Sequence, residues 1–202
     1  MKKGREEAAE TAGTIRCFWA IELPEDVRAA LERFCAEGRA RGIRAGWASP
    51  ATYHLTLCFM GHAAPDRVEE MVRQAQADFT ACSPGALELA AAGVGAFPGP
   101  ARPAVCWAGI EVIAGDLAGI RERVFQAARN AGCGPDAKAF HPHVTLARSR
   151  SGLESRMLAE WLRGAGDIRF GGPFRPARLV LFQSELRPDG ARHTSRAFIP
   201  LG

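Results

Sequence analysis

His54-Leu55-Thr56-Leu57 and His143-Val144-Thr145-Leu146 are the same chemical word, written once in each half of a 202-residue chain. In an extended strand, side chains two apart share a face. Each copy therefore sets an imidazole and a hydroxyl side by side, while Leu55 and Leu57, or Val144 and Leu146, point into a core. Tyr53 to Met60 (YHLTLCFM) alternates and reads as a strand closed by Gly61. Phe140 to Ala147 carries the second copy in the same pattern.

Working outward, Thr14 to Leu23 (TIRCFWAIEL) is rich in β-branched and aromatic residues and predicts a strand. Pro24-Glu25-Asp26 then suits the first turn of a helix whose apolar face is Val27, Leu31, Phe34 and Cys35. Gly42 to Trp47 is a break with room for an edge strand. Asp66 to Phe79 has a helical period through Val68, Met71, Val72 and Ala75. Leu87 to Val94 and Ala104 to Val112 read as strands around a Gly/Pro loop at Phe97 to Pro103. Helices are expected over Asp116 to Ala131, ended by Gly132, and over Ser151 to Leu162, ended near Gly164. Arg178 to Glu185 and Arg192 to Ile199 form a closing hairpin around Pro188-Asp189-Gly190. Helices alternate with strands, but the short turns and hairpins favour antiparallel pairing, so the fold class is α+β.

Composition narrows the function classes. The hydrophobic fraction is 47% and the charged fraction 24%, ordinary for a globular chain, and no apolar stretch is long enough to span a bilayer. The net charge of +4 permits contact with nucleic acid. Residues 1–13 are charged and Ala/Glu-rich, lack the apolar core of a secretory signal, and are expected as a disordered tail ahead of one domain over 14–202; a cytoplasmic home follows. The six cysteines form no C-x-x-C pair and read as reduced core residues.

The duplicated word suits phosphodiester chemistry. Opening a cyclic phosphate needs a base for the attacking water and an acid for the leaving sugar oxygen, and histidine serves as either near neutrality. Threonine hydroxyls donate to the non-bridging oxygens, where charge gathers. Two other readings stand beside this one. The histidines are structural, or His54, His143 and His141 bind a metal; few carboxylates lie near either copy to complete such a ligand set. No metal and no cofactor is expected.

These words, together with Arg16-Cys17-Phe18-Trp19-Ala20-Ile21-Glu22-Leu23-Pro24, Phe59-Met60-Gly61, Val105-Cys106-Trp107-Ala108-Gly109, Phe140-His141-Pro142-His143-Val144-Thr145-Leu146-Ala147-Arg148 and Ser184-Glu185-Leu186-Arg187-Pro188-Asp189-Gly190, resemble the two-histidine phosphoesterase superfamily. The likeness is greatest to the RNA 2′,3′-cyclic phosphodiesterases, also named 2′-5′ RNA ligases. The resemblance implies two pseudo-symmetric lobes of mostly antiparallel sheet, with outer helices, around a central cleft. It implies His54 as proton donor to the 3′ oxygen, His143 as base, a 2′-phosphate product, and Thr56, Thr145 and Arg148 as the phosphate grip. The implied partner is RNA or an oligonucleotide with a 2′,3′-cyclic phosphate, or a small nucleotide, with 2′-5′ joining as the reverse reaction, in a monomer away from membranes. Phe18 and Phe140 are candidates for stacking on a base. Two departures stand out: Ala104 occupies a position often held by Arg, and His193 one often held by Tyr. The rival reading is a silent nucleotide- or RNA-binding module using the same cleft.

Overall fold

The computed structural model describes residues 13–165, 167–187 and 190–201. The expected tail falls almost wholly outside them. Nine strands and four helices alternate along the described chain: β1 (Ile15–Glu22), α1 (Glu25–Ala40), β2 (Gly46–Trp47), β3 (His54–Ala63), α2 (Pro65–Ala81), β4 (Glu88–Phe97), β5 (Val105–Ala114), α3 (Leu117–Asn130), β6 (His143–Arg148), α4 (Gly152–Arg163), β7 (Arg169–Phe174), β8 (Arg178–Arg187) and β9 (Gly190–Pro200). They build two sheets, β3-β1-β8-β9 and β2-β6-β5-β4-β7. Every strand pair is antiparallel, and the fold is α+β.

The halves are exchanged. β4, from the first half, pairs with β5 in the second sheet, and β8, from the second half, pairs with β1 in the first. The helices cross in the same way. α1 follows a strand of the first sheet yet packs on the second, where Phe34 stacks on Trp161 at 4.2 Å and meets Phe170 at 5.4 Å. α3 follows β5 yet packs against α2 and β3. Leu31, Leu55, Leu89, Leu146 and Leu158, from both halves, are fully buried in one continuous core.

β3 and β6 share a local irregularity. Trp19 and Ala20, adjacent on β1, pair with Cys58 and Thr56, so Leu57 is an extra residue. Cys106 and Trp107, adjacent on β5, pair with Ala147 and Thr145, so Leu146 is extra. Each word thus ends in a β-bulge. Leu57-Cys58 and Leu146-Ala147 are consecutive buried pairs, which strict alternation forbids and a bulge permits.

The structure corrects several boundaries. Gly61 does not close β3; it sits at φ +65° beside a second bulge, and pairing continues to Ala63. β6 starts at His143, because Phe140, His141 and Pro142 are not in a strand. β7 was not foreseen, since its sequence, RFGGPF, carries the turn residues that normally argue against a strand. It sits at a sheet edge, where the ladder tolerates them. Pro188 and Asp189 of the closing hairpin lie outside the described residues, and Arg187 pairs with Gly190.

Gly95 is required by close packing. A Cβ there would lie 2.2 Å from the Trp107 ring, which crosses from the neighbouring strand. Gly95→Ala should cost about 1–3 kcal/mol through overpacking, read as a lower urea midpoint at unchanged m-value. An unchanged midpoint would mean that the indole swings aside freely.

Candidate functional site

The two words face one cleft from different sheets, with β3 and β6 adjacent across it. In β3 the burial alternates as the pattern requires: His54 and Thr56 are half-buried, Leu55 and Leu57 buried. In β6, His143 and Thr145 are half-buried over buried Val144 and Leu146.

Each imidazole is pinned by the chain just before it. His54 Nδ1–H donates to the Thr52 carbonyl at 2.7 Å, and His143 Nδ1–H donates to the His141 carbonyl at 2.6 Å. With Nδ1 committed as donor, Nε2 of each neutral ring is the atom left for proton exchange. The Thr56 hydroxyl lies 2.9 Å from His54 Nε2 and donates to it while the ring is neutral. The Thr145 hydroxyl has no hydrogen-bond partner among the described residues.

The surroundings of the two rings differ. His54 stacks on Phe18 at 4.7 Å and meets His193 edge-on at 5.2 Å, with Phe182 at 6.3 Å. His143 has Phe97 edge-on at 5.1 Å and Trp107 at 6.2 Å. Burial lowers the His54 pKa from 6.5 to about 4; the Thr52 carbonyl opposes the fall, and positive charge on His193 or His143 adds to it. Burial also lowers the His143 pKa, against the pull of the His141 carbonyl and with help from Arg148 and His141. His193 is lowered by burial and by Arg16.

Arg148 stands five residues after His143, so strict alternation would send it to the opposite face. The bulge at Leu146 reverses the parity and returns it to the cleft, where its charge acts on both His143 and Arg16. In the other half the bulge at Leu57 returns Phe59 to the cleft, under the Arg16 guanidinium at 4.7 Å. Arg16 also donates to the Ser184 hydroxyl at 2.6 Å. Two histidines, two threonines and two arginines of the same cleft are groups that can donate hydrogen bonds to an anion and, through the imidazoles, exchange protons with it. Among the described residues no three His, Cys, Asp or Glu side chains are grouped to hold a metal ion.

The aromatic candidates fare differently. Phe18 is only 3% exposed and its ring is covered by His54, so it shapes the imidazole's pocket and offers no open face to a base. Phe140 packs against the core beside Arg121, whose guanidinium lies 5.3 Å from its ring. The rings near the histidines that the sequence reading did not select are Phe182, Phe97 and Trp107. Nothing local in β4, β5 or β8 marks them; they are brought in by strand register. Arg16 lies two residues before Phe18, so strand period alone could have picked it out.

Comparison with known proteins agrees with this architecture. The model of the family described as LigT-like phosphoesterase matches residues 21–107 and 110–192. An RNA 2′,3′-cyclic phosphodiesterase of Aeropyrum pernix is 37% identical over 120 residues, which is 59% of this chain and 65% of that protein. The chain thus spans slightly less than two thirds of that relative's length. The Thermus thermophilus protein of the same description is 30% identical over 189 residues, 89% of this chain and 87% of its own. A crystal structure of a Thermus thermophilus protein superposes with a TM-score of 0.73 at 27% identity, covering 93% of this chain and 98% of that one.

The lowered histidine pKa values set a pH dependence of stability. Both folded values lie below the unfolded 6.5, so the unfolded chain binds more protons as pH falls. The stability of the neutral rings is complete above about pH 6.5 and is lost on acidification, for His54 through the folded value of about 4. Urea midpoints taken between pH 7.5 and pH 4 should fall, and His54→Asn should flatten the fall. Identical pH dependence in both proteins would show that the His54 ring is solvated.

Proposed function

The chain belongs to the LigT-like phosphoesterase family, and from that premise we propose that it hydrolyses 2′,3′-cyclic phosphate ends of RNA to 2′-phosphates, using His54 and His143 and no metal ion. The observation that carries the reading is the pair of His–Thr words in one cleft, each histidine pinned through Nδ1 so that Nε2 is the reactive atom.

The two sides of the cleft divide the labour. Neutral His143 takes a proton through Nε2 from water as its oxygen attacks phosphorus. The bond from phosphorus to O3′ breaks in line with the attack, and protonated His54 gives its Nε2 proton to O3′. The product is a 2′-phosphate monoester with a free 3′-hydroxyl, and the site resets when His143 loses its proton and His54 regains one, with no net proton change in the pair. Thr56, Thr145 and Arg148, joined by Arg16, hold the non-bridging oxygens as negative charge builds there. If the 5′-hydroxyl of a second RNA replaces water, the same steps give a 2′-5′ linkage as a side reaction.

The lowered His54 pKa is compatible with an acid role. A phosphodiester anion entering between the rings stabilises the imidazolium and lifts that value on binding. The +4 net charge and the paired arginines favour a polyanion such as RNA. Among the described residues no helix is long and apolar enough to cross a membrane. The free, mostly buried cysteines suit a cytoplasmic, reducing compartment.

Turnover of a 2′,3′-cyclic nucleotide should persist in excess EDTA. His54→Ala or His143→Ala should slow it by about 10²–10⁴-fold, the range for general acid–base groups, and Thr56→Ala or Thr145→Ala should slow it less. A much better leaving group should partly rescue His54→Ala alone. Tight binding without turnover would make the cleft a binding module. Loss of activity in EDTA, restored by a divalent ion, would make the histidines ligands.

A further inference from the structure

The chemistry above dictates where the nucleoside must lie. In-line displacement puts the attacking water and the leaving oxygen on opposite sides of phosphorus. In a cyclic phosphate the leaving O3′ remains bonded to its own ribose. The terminal nucleoside therefore lies on the side of the acid, His54, and away from His143.

On that side the cleft continues into a cavity of about 330 Å³, within the range of small-ligand sites. Phe182 and His193, ring centroids 6.0 Å apart, line it together with His54. Glu22 and Arg28 lie among its polar lining, and Glu22 is the register partner of His54 across β1 and β3. Both hydrogen bonds from Arg178 fall on Glu22 Oε2, so Oε1 is without a partner among the described residues. Arg28 reaches Glu25 through Nη2, while its Nε is buried without a partner among the described residues. Glu22 and Glu25 are matched by Arg178 and Arg28, so the cavity carries no excess positive charge to hold a second phosphate and suits an uncharged base.

We propose that the cavity receives the base of the terminal nucleoside and favours guanine, with Glu22 as the discriminating residue; this rests on His54 being the acid. Guanine presents N1–H and N2–H as donors beside O6 as an acceptor. A carboxylate accepts from the donors, and the Arg28 guanidinium donates to O6. Adenine and cytosine set an unprotonated ring nitrogen beside their amino group, which would face the carboxylate lone pairs. Uracil offers a single N–H between two carbonyls and satisfies only part of the pattern.

The test is kcat/KM for the four nucleoside 2′,3′-cyclic phosphates, with separate calorimetric affinities for the four nucleoside 2′-monophosphates. Guanosine should lead by about tenfold to hundredfold, the size of one or two charge-assisted hydrogen bonds. Glu22→Gln should level the four, and Arg28→Met serves as the second variant, with the same levelling expected, where Glu22→Gln fails to fold. Equal rates and equal affinities overturn the proposal while leaving the histidine mechanism standing, as does a preference for another base. A preference that survives both substitutions removes these residues as its source. Selective binding of guanosine 2′-monophosphate without turnover of any cyclic substrate keeps the cavity and removes the catalytic reading.

Discussion

One extra residue in each of two strands decides what the cleft contains. A strand shows alternate residues to alternate faces. Under that rule His54 and Thr56, or His143 and Thr145, share the cleft, and the next residue to join them would be Cys58 or Ala147. Both are buried instead. The bulges at Leu57 and Leu146 shift the parity so that two consecutive apolar residues enter the core and the following side chain, Phe59 or Arg148, emerges beside the threonine. Arg148 thereby becomes a neighbour of His143 and Arg16, and Phe59 becomes the shelf under Arg16. In β6 the bulge gives up one ladder position to bring a cation to the face that carries His143 and Thr145.

The same device in both halves does not give equal halves. β8 and β9 run together as far as the Arg187–Gly190 pair and place Phe182 and His193 beside His54. β7, the counterpart edge in the second sheet, pairs with β4 only between Leu89 and Ala92 and does not reach Phe97. His54 is consequently enclosed on more sides than His143, and burial pushes its pKa down to about 4. Two words matched in His, Thr and Leu acquire different environments from the length of one edge strand.

The parts legible in the sequence are those written in local period. The two words, the strand at Ile15–Glu22 and the amphipathic helices were all readable because their patterns close within a few residues. The His–Thr pairing on one face was legible for the same reason. The bulges were not, since Leu57-Cys58 and Leu146-Ala147 look like ordinary apolar residues until a partner strand is in register. Phe182 and Phe97 were missed because only long-range pairing brings them to the histidines. Phe18 and Phe140 were candidates for stacking on a base; His54 lies against the buried Phe18 and Arg121 beside the partly buried Phe140, neighbours that local pattern does not show. Arg148 entered through family likeness, and its placement in the cleft has a physical cause only once the bulge is known.

A site assembled from two sheets has to fix the separation of its halves, because proton transfer tolerates little error in position. Two lobes joined by one linker would hinge, as lobes with a small polar interface generally do. This chain crosses between its sheets repeatedly. α1 leaves the first sheet to pack on the second through Phe34, Trp161 and Phe170, and α3 leaves the second to pack on β3. β4 and β8 are exchanged outright, so each sheet contains a strand from the other half, hydrogen-bonded along most of its length. Opening the cleft by moving the halves apart would break those ladders together with the apolar core that spans both sheets. The placement of β3 relative to β6 is therefore held by backbone hydrogen bonds and close packing, the stiffest elements available to a fold.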